Sequence, residues 1–144
     1  MKAAESGHEK AYRNPALAAD AVIPDGNGIV FVRRATEPFK GRWALPGGFV
    51  EYGERVEDAA KREVREETGL EIGIVRLIGV YSDPKRDPRK HVVTVSFLAK
   101  KVGGSMRPSG ETSEVRVLSS VRESELAFDH AQILRDAGYG RIIK

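Results

Sequence analysis

Three glutamates, Glu63, Glu66 and Glu67, fall within five positions of one another in the stretch GGFVEYGERVEDAAKREVREETGL, which runs from Gly47 to Leu70. On a helix, like charges three and four residues apart share a face and repel. At about 100° per residue, Glu66 lies at about 300° and Glu67 at about 40° relative to Glu63. The small apolar residues Val56, Ala59, Ala60 and Val64 fall at about 20°, about 320°, about 60° and about 100° on the same scale. The acidic cluster therefore continues the face expected to pack on the protein body, whereas a merely solvated helix would set its glutamates opposite the apolar stripe. Carboxylates turned into a cleft rise in pKa and partly neutralise unless cations occupy the site. Hard divalent ions suit such oxygen ligands, Mg²⁺ first because it keeps its own waters and shares its shell with substrate phosphates, with Mn²⁺ as the alternative.

The elements that must position this cluster can be read around it. ALAADAVIP and GIVFVRR read as strands joined at PDGNG, where Asp-Gly and Asn-Gly tolerate positive φ. ATEPFKGRWALPGG has the Pro and Gly punctuation of a loop, and a helix follows from about Val56 to Thr68, closed by Gly69 in the position favoured after a helix. IGIVRLIGVYS and HVVTVSFLAKKV are β-rich runs separated by the turn-prone DPKRDPRK. SEVRVLS adds a strand, and ESELAFDHAQILRDAG reads as a final helix. Strands on both sides of a central helix, with another helix at the end, predict a mixed α/β or α+β sandwich.

Bulk properties narrow the chemistry. A chain of 144 residues without repeats or a linker fits a single domain, with the polar residues 1–14 loosely ordered. No apolar run is long enough to span a bilayer and the first residues lack a secretory pattern, so a soluble, cytoplasmic protein is expected, without a membrane or nucleic-acid partner. The absence of cysteine excludes disulfides and thiolate metal sites, leaving oxygen or imidazole ligands. A net charge of +3, from 24 basic and 21 acidic residues, gives a weak bias toward anionic ligands.

Gly48, five residues, Glu54, seven residues, Arg62-Glu63-Val64, one residue, Glu66-Glu67, one residue and Gly69-Leu70 match the signature of the Nudix hydrolases position for position. Nine specified positions at fixed spacing make this a very specific resemblance, and the flanking elements are similar to that family's α/β/α sandwich, a mixed central sheet with a loop-helix-loop catalytic motif. The resemblance implies hydrolysis of a nucleoside diphosphate linked to a further moiety. It makes Glu63, Glu66 and Glu67 metal ligands, with the Gly47 carbonyl as a further one, and gives Gly48, Glu54, Arg62 and Gly69 supporting roles: Glu54 orders the loop and Arg62 pairs with the cluster. Members also recruit a general base from a later loop, for which Glu111 and Glu114 are the candidates, Glu111 being preferred because Glu114 opens a strand.

The segments EPFKGRWALPGGFVEYGE, YSDPKRDPRKHVVTVSFLA and LAFDHAQIL resemble the ADP-ribose pyrophosphatase branch, whose members are often homodimers. Pro84 and Pro88, 14 and 18 residues beyond Leu70, are near the branch's proline marker and are equally explained as turn residues. Arg34, Arg86 and Arg89 are candidates for phosphate oxygens, and Tyr81 for stacking on a base; Phe39 and Trp43 are expected to pack in the core. The same signature also belongs to MutT-like housecleaning and diadenosine polyphosphate hydrolases, and the flanking segments to non-catalytic modules that sense ADP-ribose.

Overall fold

The computed structural model describes residues 11–109 and 112–144. Strands β1 (Ala16–Val22), β2 (Pro24–Asp25), β3 (Gly28–Arg34), β4 (Trp43–Ala44) and β5 (Gly47–Phe49) precede helix α1 (Val56–Thr68). Strands β6 (Leu70–Tyr81), β7 (Val92–Gly104) and β8 (Thr112–Leu118) then lead to helix α2 (His130–Asp136). The expected mixed sheet is present, in the order β5-β1-β7-β6, with β1 and β7 parallel and the other pairs antiparallel. A second four-stranded sheet joins β3 to β2, β4 and β8. Among the described residues no helix is long and apolar enough to cross a membrane.

The pleat of β1 explains how one sheet carries helices on both sides. Successive side chains of a strand point to opposite faces, so Ala19 and Ala21 meet α1 while Val22 joins the core beneath α2. Ala19 packs with Ala59, Ala60 and Phe97; Ala21 and Ile23 pack with Val64, Leu70 and Ile72. On the other side, Ile133 and Leu134 of α2 close over Val22, Ile29, Phe31 and Trp43. The alanines matter because they let α1 lie close to the sheet, which carries its carboxylates to the β5 edge.

Two expectations need correction. The stretch read as one helix from Glu123 to Gly138 is broken: a 3₁₀ turn at Glu123–Glu125 is followed by extended backbone and only then by α2. Leu126 bridges to Trp43, the Ala127 N–H donates to the Trp43 carbonyl at 2.8 Å, and Phe128 takes a positive φ of 51°, so tertiary pairing with β4 overrides helix propensity. The segment read as one loop between β3 and α1 holds the short strands β4 and β5, and β5 forms the edge on which the site is built.

Helix α1 ends where the sequence predicts. Gly69, at φ 80°, donates its N–H to the Arg65 carbonyl at 2.9 Å, and a Cβ there would collide with the Ser105 carbonyl. Gly69→Ala is therefore expected to cost at least about 2 kcal/mol, the left-handed penalty plus the clash. A lower urea midpoint with an unchanged m-value would register that loss.

Candidate active site

The site begins with two glycines on an edge strand. Gly47 and Gly48 pair antiparallel with Asp20 and Ala19 of β1. A Cβ on Gly47 would meet the Ala19 carbonyl and the Asp20 side chain, and a Cβ on Gly48 would fall on the Glu63 carboxyl. Only glycine lets the strand pass this close to the helix. The Gly47 N–H donates to Glu67 Oε1 at 3.0 Å, tying the last glutamate of the cluster to the strand.

Arg62 holds the rest of the cluster. Its Nε donates to Glu54 Oε2 at 2.7 Å and one terminal nitrogen to Glu54 Oε1 at 3.0 Å, a two-pronged pair. The same nitrogen reaches the Phe49 carbonyl at 3.1 Å. The other terminal nitrogen donates to Glu63 at 2.9 Å and to Glu66 at 3.3 Å. Glu54 in turn accepts the Glu51 N–H at 3.0 Å, closing the loop before α1. The Arg62 fork brings the Glu54 carboxyl down to about 2, whereas burial raises that of Glu63 against the opposing pull of Arg62.

Glu63, Glu66 and Glu67 line one open cavity of about 530 Å³ together with Gly47 and Gly48. Glu63 and Glu67 are partly buried while Glu66 is exposed, so the cluster runs outward from the packed face rather than lying wholly on it. Among the described residues no three carboxylates or imidazoles converge as a ready-made metal cage. The donor set still suits a hard divalent ion: all its atoms are oxygen, and the Arg62 contacts to Glu63 and Glu66 are rotatable side-chain pairs that a stronger cation can displace.

The cavity continues across the α2 side of the sheet to a second polar group. Arg86 is almost fully buried and forks onto Asp129 at 2.6 and 2.8 Å, with a further bond to Thr94 Oγ1 at 2.7 Å. His130 Nδ1 accepts the Leu45 N–H at 3.0 Å, and its Nε2 lies 3.7 Å from Asp20 Oδ2. Burial raises the Asp20 carboxyl to about 7, opposed by Ser96 and Arg86, and lowers the His130 imidazole to about 4. Near the mouth, the Arg34 guanidinium lies 5.1 Å from the Phe128 ring, and that of Arg89 lies 5.8 and 5.9 Å from Phe49 and Phe128.

The sequence candidates thus divide. Arg34, Arg86 and Arg89 line the cavity with the box glutamates; Arg86 is committed to Asp129, Arg89 pairs with Asp87 at 2.8 Å, and Arg34 Nε donates to the Pro38 carbonyl at 2.6 Å. Tyr81 does not line it: the ring packs with the α2 core and its hydroxyl donates to Asp136 at 2.7 Å. Glu114 does not line it either, being paired with Arg33 and Arg116 on β8. Glu111 lies outside the described residues. Sequence reasoning did not single out Asp20, Asp129 and His130, although the segment LAFDHAQIL holds the last two; a further signal was a lone aspartate inside the apolar run ALAADAVIP, which an ordinary buried strand has no reason to carry.

Residues 14–137 match the family model of the NUDIX domain. The chain is 45% identical over 125 residues to a protein of Methanocaldococcus jannaschii named ADP-ribose pyrophosphatase, covering 87% of this chain and 74% of that protein. A MutT/nudix family protein from Enterococcus faecalis superposes with a TM-score of 0.81 at 30% identity, over 90% of this chain and 63% of that one. The NUDIX domain of Shewanella oneidensis NrtR, solved in complex with ADP ribose, superposes with a TM-score of 0.74 at 27% identity, over 88% of both chains.

Two outcomes are expected from this geometry. Arg62→Lys keeps the charge but loses the fork that joins Glu54 to Glu63 and Glu66, and is expected to lower divalent-metal affinity about 10- to 100-fold in a folded protein, as measured by calorimetric titration. His130 is the second case. Its pKa is about 4 in the fold against 6.5 unperturbed, so between these values the unfolded chain binds a proton that the folded chain refuses. Its contribution is complete above pH 6.5 and lost as pH falls toward 4, amounting to about 3 kcal/mol. Asp20, with a raised pKa, contributes with the opposite slope. The stability difference between wild type and His130→Asn, taken from urea titrations at each pH, isolates the histidine and should shrink by about that amount on acidification.

Proposed function

The chain belongs to the NUDIX domain family, and on that premise we propose that it hydrolyses the pyrophosphate bond of ADP-ribose, giving AMP and ribose 5-phosphate with the help of a divalent metal. The observation that carries this reading is the cavity in which Glu63, Glu66 and Glu67 meet the glycine edge of β5. The substrate is supported by the similarity to the Methanocaldococcus protein and to the ADP-ribose-bound NUDIX domain. Water adds to one phosphorus, the bridging P–O bond breaks, and the two phosphates leave on separate products.

Glu63, Glu66 and Glu67, with the Gly47 carbonyl, are assigned as the metal ligands, and Mg²⁺ is preferred over Mn²⁺ for an all-oxygen set that must also accept phosphate. The bound metal would neutralise pyrophosphate oxygens and acidify the attacking water. The protein's own part is positional. Arg62 spaces the carboxylates, Glu54 braces Arg62, and Gly47 with Gly48 keep the strand low enough for the pyrophosphate to reach the cluster. Arg34 and Arg89 are assigned to the substrate's anionic groups, since both stand in the cavity wall beside Phe128. Glu111 is assigned as general base over Glu114, whose carboxyl is engaged by two arginines. Thr112 lines the cavity, with its hydroxyl 3.4 Å from the Glu67 carbonyl.

Glu67→Gln removes a ligand charge at nearly constant size, and should leave a folded protein with kcat lowered by at least about 10²-fold. The comparison to make is kcat/KM with Mg²⁺ for ADP-ribose, 8-oxo-dGTP and diadenosine polyphosphates, with products identified chromatographically. ADP-ribose should lead; if it is the poorest of the three, the substrate assignment fails while the hydrolase reading stands. Binding of ADP-ribose without turnover of any of them would make the protein a sensor.

A further inference from the structure

The polar group on the α2 side of the cavity lies apart from the assigned metal ligands, yet it is costly to fold. Asp20 sits in the middle of β1, only 5% exposed, in a run that is otherwise apolar. Its Oδ1 is enclosed beside the hydroxyl of Ser96, its register partner on β7, which leaves Oδ2 as the oxygen nearer His130. The nearby cation, Arg86, is already forked onto Asp129 and bound to Thr94. Enclosing a carboxyl costs free energy unless each of its oxygens finds a partner, so the second oxygen calls for an explanation.

His130 supplies the complementary half. Its Nδ1 accepts the Leu45 N–H, so that nitrogen carries no proton and the neutral ring presents its single N–H from Nε2. This donor faces Asp20 Oδ2 at 3.7 Å, too far for a direct hydrogen bond. A donor and an acceptor therefore stand side by side in a cavity wall without engaging each other. A hydroxyl group seated in front of the two, rather than between them, would accept from the imidazole and donate to the ionised carboxylate, which an ether, a methylene or a phosphate oxygen cannot do.

Location selects which hydroxyl. Asp20 is the β-register partner of Gly47, whose N–H binds Glu67. The pair thus lies one strand from the pyrophosphate end of the cavity, on the opposite face of the sheet from α1. The group covalently attached to a pyrophosphate in a nucleotide sugar is a ribose; a base lies one sugar further away.

We infer that Asp20 and His130 form a hydroxyl-recognition subsite for a ribose flanking the pyrophosphate, making Asp20 a specificity residue. The inference rests on the hydrolase reading above and deepens it by naming the chemical group that the far wall reads. Either of the two riboses of ADP-ribose carries this chemistry, and the test separates them.

The test compares kcat/KM of the wild type for ADP-ribose, for the analogue lacking the adenosine 2′-hydroxyl, and for the analogue lacking the 2-hydroxyl of the terminal ribose. One analogue should be poorer by about 10- to 100-fold, the loss expected when a buried hydrogen-bonding pair is left unmade. Asp20→Ala should then cost the parent substrate more than that analogue, bringing their ratio down at least about tenfold. Asp20→Asn, nearly isosteric but uncharged, should lower the same ratio several-fold and serves if the alanine variant does not fold. A wild type that cleaves all three equally overturns the subsite without needing any variant. A folded variant that loses the same factor on parent and analogue also overturns it, because a purely structural aspartate would act on both alike. If none of the three is cleaved while other nucleotides are, the ADP-ribose reading fails and the subsite with it.

Discussion

The two-pronged pair between Arg62 and Glu54 is the contact on which the site depends. Helix α1 carries an acidic face toward an edge strand, and without a cation inside the cluster the carboxylates would splay into solvent. One guanidinium binds Glu54, Glu63, Glu66 and the Phe49 carbonyl at once, so the loop, the helix and the strand share one fixed point. A lysine could supply the charge but not the planar geometry that reaches several partners simultaneously.

Around that fixed point the fold assigns different chemistry to the two faces of a single strand. Ala19 and Ala21 of β1 make a flat bed for α1, bringing the glutamates to the β5 edge. Asp20, between them in sequence, faces the other way and meets His130 and the Arg86–Asp129 pair. The cavity connects these faces around the glycine edge. An anionic, metal-suited end and a second, hydrogen-bonding end are thus placed a strand apart by the pleat alone.

The two ends also differ in how their charge is compensated. At the α1 end, Arg62 offsets the carboxylates with rotatable ion pairs near water, an arrangement open to exchange. At the α2 end, Arg86 and Asp129 neutralise each other in a partly buried fork, and burial keeps His130 neutral while raising the Asp20 carboxyl to about 7, so that its ionised form is available above neutrality. In the proposed reading the first end accepts a cation and the second reads hydrogen bonds, a division suited to a substrate with a charged centre and an uncharged sugar.

The box from Gly48 to Leu70, the limits of α1, its glycine stop and the face shared by its glutamates were legible in the sequence, because all depend on spacing within one helix and its caps. The β-rich runs were legible too, since alternation and turn residues are local. The second sheet was not, nor the break before α2, because Leu126 and Ala127 pair with Trp43 across more than 80 positions of chain and no local pattern records that partner. Tyr81 and Glu114 had the right side chains for a site, but tertiary contacts with Asp136, Arg33 and Arg116 engaged them elsewhere. The grouping of Asp20 with Arg86, Asp129 and His130 was decided by tertiary structure alone, since it joins three distant segments. Sequence determines which groups a local element can present; only packing decides what they face.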